Sequence, residues 1–133
     1  LWDVLEHVSN PTKTLKRCHE LLKKDGFLIV NYPDYNSWVS KLLGQKWPFY
    51  LSVHLYYFNQ QTIAQILNKN GFEIIRIKPH FQSLDLGYIL FRAKKYLGSI
   101  LTPAQVLVRS IGLNNQKIPY WIGQTLVIAR KKG

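Results

Sequence analysis

Apolar residues recur at helical spacing early in the chain. Leu15, Cys18 and Leu22 form one face of a segment that begins at Asn10-Pro11. Asparagine is a favoured N-cap, and proline is favoured at the first helical position because an N–H group has no partner there. The pattern therefore predicts a helix from about Pro11 to Lys24.

Three runs rich in β-branched and aromatic residues predict strands: Phe27 to Tyr32, Phe72 to Lys78 and Trp121 to Arg130. The first run ends at Pro33 and lacks in/out alternation, which is typical of a strand covered on both faces in a parallel sheet. A second helix, with Asn59 as its N-cap, is predicted before the second strand. Helices that alternate with strands predict an α/β fold with a parallel sheet.

The connection between the last two predicted strands is too long and too apolar for an ordinary loop. A second helical pattern starts at Thr102-Pro103, so we interpret residues 79–120 as an inserted helical pair. The chain is then one incomplete domain, residues 1–133. Its core half consists of residues 1–78 and 121–130.

Charge is distributed unevenly along the chain. The net charge is +11, and no acidic residue follows Asp85, whereas eight basic residues do. Such asymmetry marks a surface for phosphates, nucleic acid or anionic lipid, or it is balanced by an acidic region elsewhere in a longer protein. A single cysteine, Cys18, favours a reducing, cytoplasmic setting. Because no histidines or cysteines are paired at ligand spacing, we predict no metal site.

The opening run, Leu-Trp-Asp-Val-Leu-Glu-His-Val-Ser-Asn-Pro at residues 1–11, resembles the segment after the fourth strand of class I S-adenosylmethionine (SAM)-dependent methyltransferases. Within that family, the run is similar to that of the ubiquinone-biosynthesis methyltransferases, which have type 11/12 methyltransferase domains. The resemblance implies the C-terminal half of a Rossmann-like sheet. This half would contain strands five, six and seven with their flanking helices. The last strand would lie antiparallel between its two predecessors, and a helical insert would connect the last two strands along the chain.

The same resemblance implies what the chain lacks and what it holds. In the sequences of family members, the glycine-rich cofactor loop and the acidic residue that binds the SAM ribose precede the segment that matches this chain. We therefore expect the isolated chain to be an inactive fragment. Leu1, Trp2 and Asp3 are implied to contact SAM. Glu6 and Tyr32 are implied to face the substrate, although Glu6 could instead organise its loop and Tyr32 could belong to the core.

The segment Val53-His54-Leu55-Tyr56-Tyr57-Phe58-Asn59 resembles the family's segment that closes over the substrate. An imidazole near its ordinary pKa can take a proton from an acceptor hydroxyl or amine. We therefore assign catalysis to His54 and His7. The alternative for His54 is hydrogen bonding to neighbouring backbone, and the alternative for His7 is that it organises its loop and the start of the next helix. The tyrosines assigned to an aromatic wall around the substrate are Tyr50, Tyr56 and Tyr57, and core packing is their alternative.

The implied function is methyl transfer from SAM to an O, N or C nucleophile of a small or lipid-like acceptor. The alternative is a non-catalytic basic α/β module that binds anionic lipid or nucleic acid, and a third possibility is a degenerate methyltransferase half that serves as a partner subunit. Nucleic acid is disfavoured because the aromatic residues cluster far from the basic tail. Residues 88–97 suit a basic amphipathic helix on an anionic membrane surface, or a helix packed within the fold. The implied half-sheet has an open edge where strands one to four of the family would pair. Because exposed sheet edges recruit partners, this edge predicts a homodimer.

Overall fold

The computed structural model describes the backbone of residues 1–133 and all side chains except those of residues 95–97. The chain forms two compact units, Leu1–His80 with Ile122–Gly133, and Phe81–Trp121. The first unit holds α1 (Pro11–Leu21), β1 (Phe27–Pro33), α2 (Trp38–Leu43), a short 3₁₀ helix (Gly44–Lys46), α3 (Gln60–Lys69), β2 (Phe72–Pro79) and β5 (Gln124–Lys131). The second holds β3 (Gln82–Asp85), α4 (Leu86–Leu97), a 3₁₀ helix (Gly98–Leu101), α5 (Thr102–Ser110) and β4 (Lys117–Tyr120).

The first unit is built on a three-stranded sheet with the order β1-β5-β2. Strand β5 pairs antiparallel with both neighbours, which confirms that the last strand lies between its two predecessors. Strands β1 and β2 therefore run parallel to each other but do not pair. Strand β5 separates them, as the resemblance implied. A parallel bridge between Trp2 and Asn31 adds the edge of a further strand.

Strand β1 is only partly covered on both faces. Leu28 and Val30 are buried, whereas Phe27 and Ile29 are 58% and 41% exposed. The first half of β1 therefore alternates, contrary to the prediction, because successive side chains point to opposite faces and one face meets the core. From Asn31 onward the strand is buried without alternation.

Both predicted helix starts are confirmed. Asn10 Oδ1 accepts a hydrogen bond from Lys13 N at 2.9 Å at the start of α1, and Asn59 forms a reciprocal capping box with Thr62 at α3. Helix α1 ends at Leu21, earlier than predicted, because Leu22 is extended. The Lys131 ammonium donates to the His19 and Leu22 carbonyl oxygens at 2.7 and 2.9 Å, which satisfies groups that a helix end leaves unpaired.

The core of the first unit lies between the sheet and helices α1 and α3. Its fully buried members include Leu15, Val30, Leu67, Phe72 and Val127. These are the apolar faces that the helical and strand patterns identified. The core therefore holds β1 and the loop before α1 in a defined position.

The second unit contains the helical insert that the sequence predicted, as α4 and α5. Strands β3 and β4, which pair antiparallel from Gln82–Tyr120 to Asp85–Lys117, were not predicted because each has only four residues. The predicted membrane-facing segment, residues 88–97, coincides with most of α4. Its side chains at 95–97 lie outside the described residues. Among the helices as described, none combines the length and apolarity needed to cross a bilayer.

Candidate functional site

The candidate site begins where the opening residues meet the end of β1. Asn31 N donates to the Leu1 carbonyl oxygen at 2.9 Å, and Asp3 N donates to the Asn31 carbonyl oxygen at 3.3 Å. Leu1 is partly buried against the core. These parallel-strand contacts place the three predicted cofactor residues, Leu1 to Asp3, beside the carboxyl end of β1, where ligands bind in sheets of this class.

Asp3 is held by two amide side chains. Its Oδ1 accepts hydrogen bonds from Asn31 Nδ2 at 2.9 Å and from Gln124 Nε2 at 3.1 Å. The backbone of Asp3 is left-handed, with φ 48°, which turns the chain sharply after Trp2. Burial raises the pKa of Asp3 above its usual value, although the Asn31 hydrogen bond opposes the shift. The carboxylate is therefore fixed in place at the strand end.

Trp2 presents an open aromatic surface. Its side chain is 51% exposed, and its ring meets the edge of His80, with ring centroids 5.1 Å apart and planes at 84°. Such a ring offers a flat apolar face to a planar ligand.

Glu6, His7 and His54 converge next to this loop. One ligand-type atom from each lies within 4.8 Å of the other two. The two imidazole rings meet edge to face, with centroids 4.6 Å apart. The convergence is built by the backbone, because the N–H groups of Leu55 and Tyr56 both donate to the Glu6 carbonyl oxygen, at 2.8 and 3.2 Å.

The Glu6 carboxylate is buried in this cluster. The residue is 1% exposed, and neither carboxylate oxygen has a hydrogen-bond partner in another described residue. Burial raises the pKa of Glu6 and the nearby Asp3 carboxylate adds to the rise, whereas the Glu6 amide and His7 oppose it. A buried carboxylate without partners is costly, so this group needs either a proton or a cation.

The two histidines differ in exposure and in their contacts. His7 is exposed, and its Nδ1 lies 3.1 Å from the Val53 carbonyl oxygen. His54 is buried, and its Nδ1 makes no hydrogen bond of good geometry within the described chain. Burial lowers the pKa of His54 and the neighbouring His7 adds to this, while the Phe49 backbone and Asp3 oppose the shift. His54 is therefore neutral more readily than an exposed imidazole.

One of the predicted tyrosines, Tyr57, lies beside His54, and a second, Tyr50, stacks on Tyr57. The Tyr57 ring centroid is 5.9 Å from that of His54, and Tyr50 stacks on Tyr57 at 5.4 Å. The Tyr57 hydroxyl donates to the Leu51 carbonyl oxygen at 2.9 Å, which fixes the ring. An exposed Tyr50 extends this aromatic surface outward.

The other two tyrosines have different surroundings. The Tyr56 hydroxyl donates to the Ser9 carbonyl oxygen at 3.0 Å, and its ring stacks on Phe58. Tyr32 has no exposed surface and meets Phe58 edge to face within the core. Substrate contact by either residue stays a prediction, and the described geometry gives Tyr32 a packing role.

Two residues that shape this site, Asn31 and Gln124, were not predicted from the sequence. Both are buried polar residues: Asn31 interrupts the apolar run of β1, and Gln124 begins β5. Buried amides are rarely tolerated without a specific hydrogen bond. Their position was therefore an available signal, but their common partner, Asp3, could not be read from the sequence.

Known proteins show what this arrangement is similar to. The model of a family described as "methyltransferase domain" matches residues 1–77, which include the whole cluster. No curated protein sequence matches the chain. A solved structure from Thermotoga maritima, described as a SAM-dependent methyltransferase and possible histamine N-methyltransferase, is 21% identical with a TM-score of 0.54. A candidate methyltransferase from Bacillus halodurans is 13% identical with a TM-score of 0.53.

These two likenesses show the fold. Each covers 99% of this chain, and the chain spans 53% of the first protein and 62% of the second. Both are Rossmann-like methyltransferases, which confirms the fold class that the sequence resemblance implied. Because the family model covers more than half of the sequence, the chain belongs to the SAM-dependent methyltransferase domain family.

Proposed function

We propose that this chain forms the acceptor-side part of a SAM-dependent methyltransferase. The reaction transfers a methyl group to an O, N or C nucleophile of a small or lipid-like molecule. The observation that carries the proposal is the cluster of Glu6, His7 and His54, which lies inside the family match and next to the cofactor-side loop.

The cofactor side is supplied by Leu1, Trp2 and Asp3. SAM, when bound, supplies a methyl group on a sulfonium, which is already a strong electrophile. The half-exposed Trp2 indole fits the adenine ring as a stacking surface. Asp3, held by Asn31 and Gln124, keeps the loop in place beside it. These residues fit one wall of a cofactor site, and we expect the isolated chain to be inactive because its sequence lacks the family's glycine-rich loop.

On the acceptor side, His54 is the proposed general base. Its imidazole takes the proton that the acceptor hydroxyl or amine loses as the methyl group arrives. His7, exposed at the rim, is the second candidate for the same proton. Tyr50 and Tyr57 form the wall that excludes water from the acceptor. Glu6 faces the two imidazoles from the buried side, and Tyr32 and Tyr56 support the wall through Phe58.

The test is methyl transfer from radiolabelled SAM by the longest native protein that contains this chain. The acceptors are a panel of phenols, amines and lipid headgroup analogues. We expect His54→Gln to lower kcat by roughly 10²- to 10⁴-fold, the usual contribution of a general base, with little change in SAM affinity.

The matched control is His19→Gln, because His19 packs on Phe72 and is not a member of the cluster. A kcat unchanged by His54→Gln would show that His54 is not the general base. Failure of the wild-type protein to bind SAM or to methylate any acceptor would reject the proposed function.

Two predicted partners stay open to experiment. Helix α4 exposes Tyr88, Phe91 and Arg92, which suit a lipid-like acceptor or an anionic membrane surface. Sedimentation with vesicles containing anionic lipid, against neutral vesicles, tests the membrane contact. Sedimentation equilibrium tests the predicted homodimer through the sheet edge.

A further inference from the structure

We propose that the second unit, Phe81–Trp121, docks on a bilayer surface that carries anionic phospholipid. The contact uses the outward sides of both helices, α4 and α5, and a groove between them that receives a lipid phosphate. The sequence alone indicated only residues 88–97 as a membrane contact. This inference goes beyond the proposed function, because docking on a membrane does not depend on methyl transfer.

The first argument is that the second unit has no buried interior of its own. Among residues 81–94 and 98–121 no side chain is buried, whereas the first unit has a core of fully buried residues. Ile100 and Phe91 are 82% and 66% exposed. Exposed apolar patches mark surfaces that bind a membrane or another protein. The unit therefore presents apolar side chains that its own fold leaves uncovered.

The second argument is the direction in which α5 presents its apolar residues. Val106 and Leu107 are 63% and 59% exposed, and they share one side of the helix with Pro103, three and four residues earlier. The side that carries Ala104 and Val108 is more covered. A surface helix of a soluble protein normally turns polar residues outward. Helix α5 turns aliphatic residues outward, as does a helix that lies in a membrane interface.

Helix α4 combines aromatic and basic residues on its outward side. Phe91 and Arg92 lie three and four residues after Tyr88, so the three share one face, and all three are exposed. Aromatic rings are favoured at the level of lipid headgroups, and long basic side chains reach the phosphates there. The outward side of α4 therefore has the composition of an interfacial helix.

The charge of the unit selects an anionic surface. Residues 81–121 contain five basic residues against one acidic residue, which gives a formal net charge of +4. The acidic residue, Asp85, is paired with Lys117 at 3.1 Å. Among the described side chains, Arg92 and Arg109 have no acidic partner. Unpaired cations beside exposed apolar residues are attracted to anionic lipid headgroups.

A groove between the two helices offers a place for one lipid phosphate. It has a volume of about 350 Å³ and is lined by residues of both helices and of the turn that follows them: Gly87, Leu90, Phe91, Gln105, Arg109 and Asn114. A guanidinium can bind phosphate through two parallel hydrogen bonds, and the amides of Gln105 and Asn114 are further donors. Arg109 is therefore the residue that we expect to hold the headgroup.

Two other occupants fit this surface less well. A second copy of the chain would bring together two units that each carry a net charge of +4, and like charges repel. A nucleic acid would stack its bases on exposed rings, but the outward side of α5 is aliphatic. An anionic bilayer accepts both the aliphatic side chains and the cations.

Sedimentation with vesicles tests the proposal on the longest native protein that contains this chain. One set of vesicles is pure phosphatidylcholine, and the other contains an equal amount of phosphatidylglycerol. We expect binding to the mixed vesicles that weakens as salt screens the charges, and much weaker binding to phosphatidylcholine alone. Inorganic phosphate at matched ionic strength should not displace the protein. Displacement by phosphate would show a site for the free anion and overturn membrane docking.

Two double variants separate the apolar contribution from the electrostatic one. Val106→Gln with Leu107→Gln should weaken binding to mixed vesicles by at least roughly tenfold, because it removes the buried aliphatic groups. Arg92→Gln with Arg109→Gln should weaken it roughly 25-fold, since each basic residue near an anionic surface contributes roughly fivefold. All four residues are exposed, so the circular dichroism spectrum of each variant should match that of the wild type.

The matched controls lie in the first unit. Leu21→Gln removes an exposed aliphatic side chain from α1, and Arg76→Gln removes an exposed positive charge from β2. Both should bind mixed vesicles as the wild type does. If the controls weakened binding as much as the double variants, the contact would not belong to the second unit and the proposal would fail.

Three further outcomes would overturn the proposal. They are absence of vesicle binding, equal binding to both kinds of vesicle, and a lipid-free oligomer that Val106→Gln with Leu107→Gln converts to a monomer. The last would assign the surface to a second copy of the chain. Vesicle binding is measured without SAM, so a protein that docks but methylates no acceptor would confirm this inference and reject the proposed function. Methyl transfer without vesicle binding would reject the docking alone.

Discussion

Asn31 Nδ2 donates a hydrogen bond to Asp3 Oδ1 at 2.9 Å, and this contact joins the end of β1 to the cofactor-side loop. The same two residues are joined a second time, because Asp3 N donates to the Asn31 carbonyl oxygen at 3.3 Å. Asn31 is fully buried. One buried amide therefore sets the position of the loop that carries Trp2, Asp3 and, further on, the Glu6–His7 pair.

Asn31→Ala should destabilise the protein. The substitution removes a hydrogen bond to a charged group, which is worth roughly 1.5–3 kcal/mol, and leaves Asp3 with Gln124 as its remaining described amide donor. Urea unfolding measures the loss. Asn68→Ala, at an exposed position of α3, is the control and should change the free energy of unfolding by no more than ~0.5 kcal/mol. Equal stability of the two variants would contradict the role given to Asn31.

Gly123→Ala should be more damaging than Gly44→Ala, although both residues have positive φ. Gly44 has φ 52° and open space around it, whereas at Gly123, with φ 101°, an added Cβ would meet Ser37 Oγ at 2.5 Å. Left-handed strain costs roughly 1–2 kcal/mol at either position, and overpacking adds roughly 1–3 kcal/mol at Gly123. Thermal and urea unfolding compare the pair. A larger loss for Gly44→Ala would show that the close approach of Gly123 to α2 is wrong.

Asn59→Ala should weaken α3. Asn59 Oδ1 accepts from Thr62 N at 2.8 Å, and Thr62 Oγ1 accepts from Asn59 N at 2.9 Å. Loss of an N-cap costs roughly 0.5–2 kcal/mol. Thr62→Ala and the double variant complete a cycle, in which the two losses should be less than additive because one capping box is involved. Strict additivity would contradict the reciprocal cap, and Gln61→Ala, exposed on the same turn, is the control.

Asp34→Asn should raise the melting temperature at neutral pH. Burial raises the pKa of Asp34, while the Asn36 amide, Gln60 and Lys41 oppose the shift. A carboxyl with a raised folded-state pKa destabilises the protein above that pKa. The penalty disappears as pH falls through the folded pKa toward the unfolded value of 3.8.

The difference between wild type and Asp34→Asn should therefore be largest near pH 7 and vanish below about pH 3.8, the ordinary aspartate value. Asparagine keeps an oxygen that can accept from the Asn36 N–H group, which is 3.0 Å from Asp34 Oδ1. Melting curves from pH 3 to 8 check the profile. If the stability of Asp34→Asn relative to wild type were lower at pH 7 than at pH 3.5, the predicted sign would be wrong. Asp25→Asn, exposed, is the control.

Local chemistry explains what was predictable in the fold. Asn10-Pro11 and Asn59 identify helix starts because capping is decided within one turn, and the structure confirms both. The four-residue strands β3 and β4 were missed because so short a pattern carries no distinct period. The exposed first half of β1 was misjudged because a run such as Phe27 to Val30 has the same composition whether one or two faces are covered.

The candidate site likewise contains some features that the sequence predicts and others that it does not. The sequence by itself determined the family resemblance, the helix caps, the strand positions and the residue types available for chemistry, since each depends on neighbours a few positions away. Only the tertiary structure decided that Glu6, His7 and His54 meet, that Asn31 and Gln124 hold Asp3, and that Tyr32 lies in the core. These contacts join residues distant along the chain, and which distant residues meet depends on how strands and loops pack, which no local pattern records.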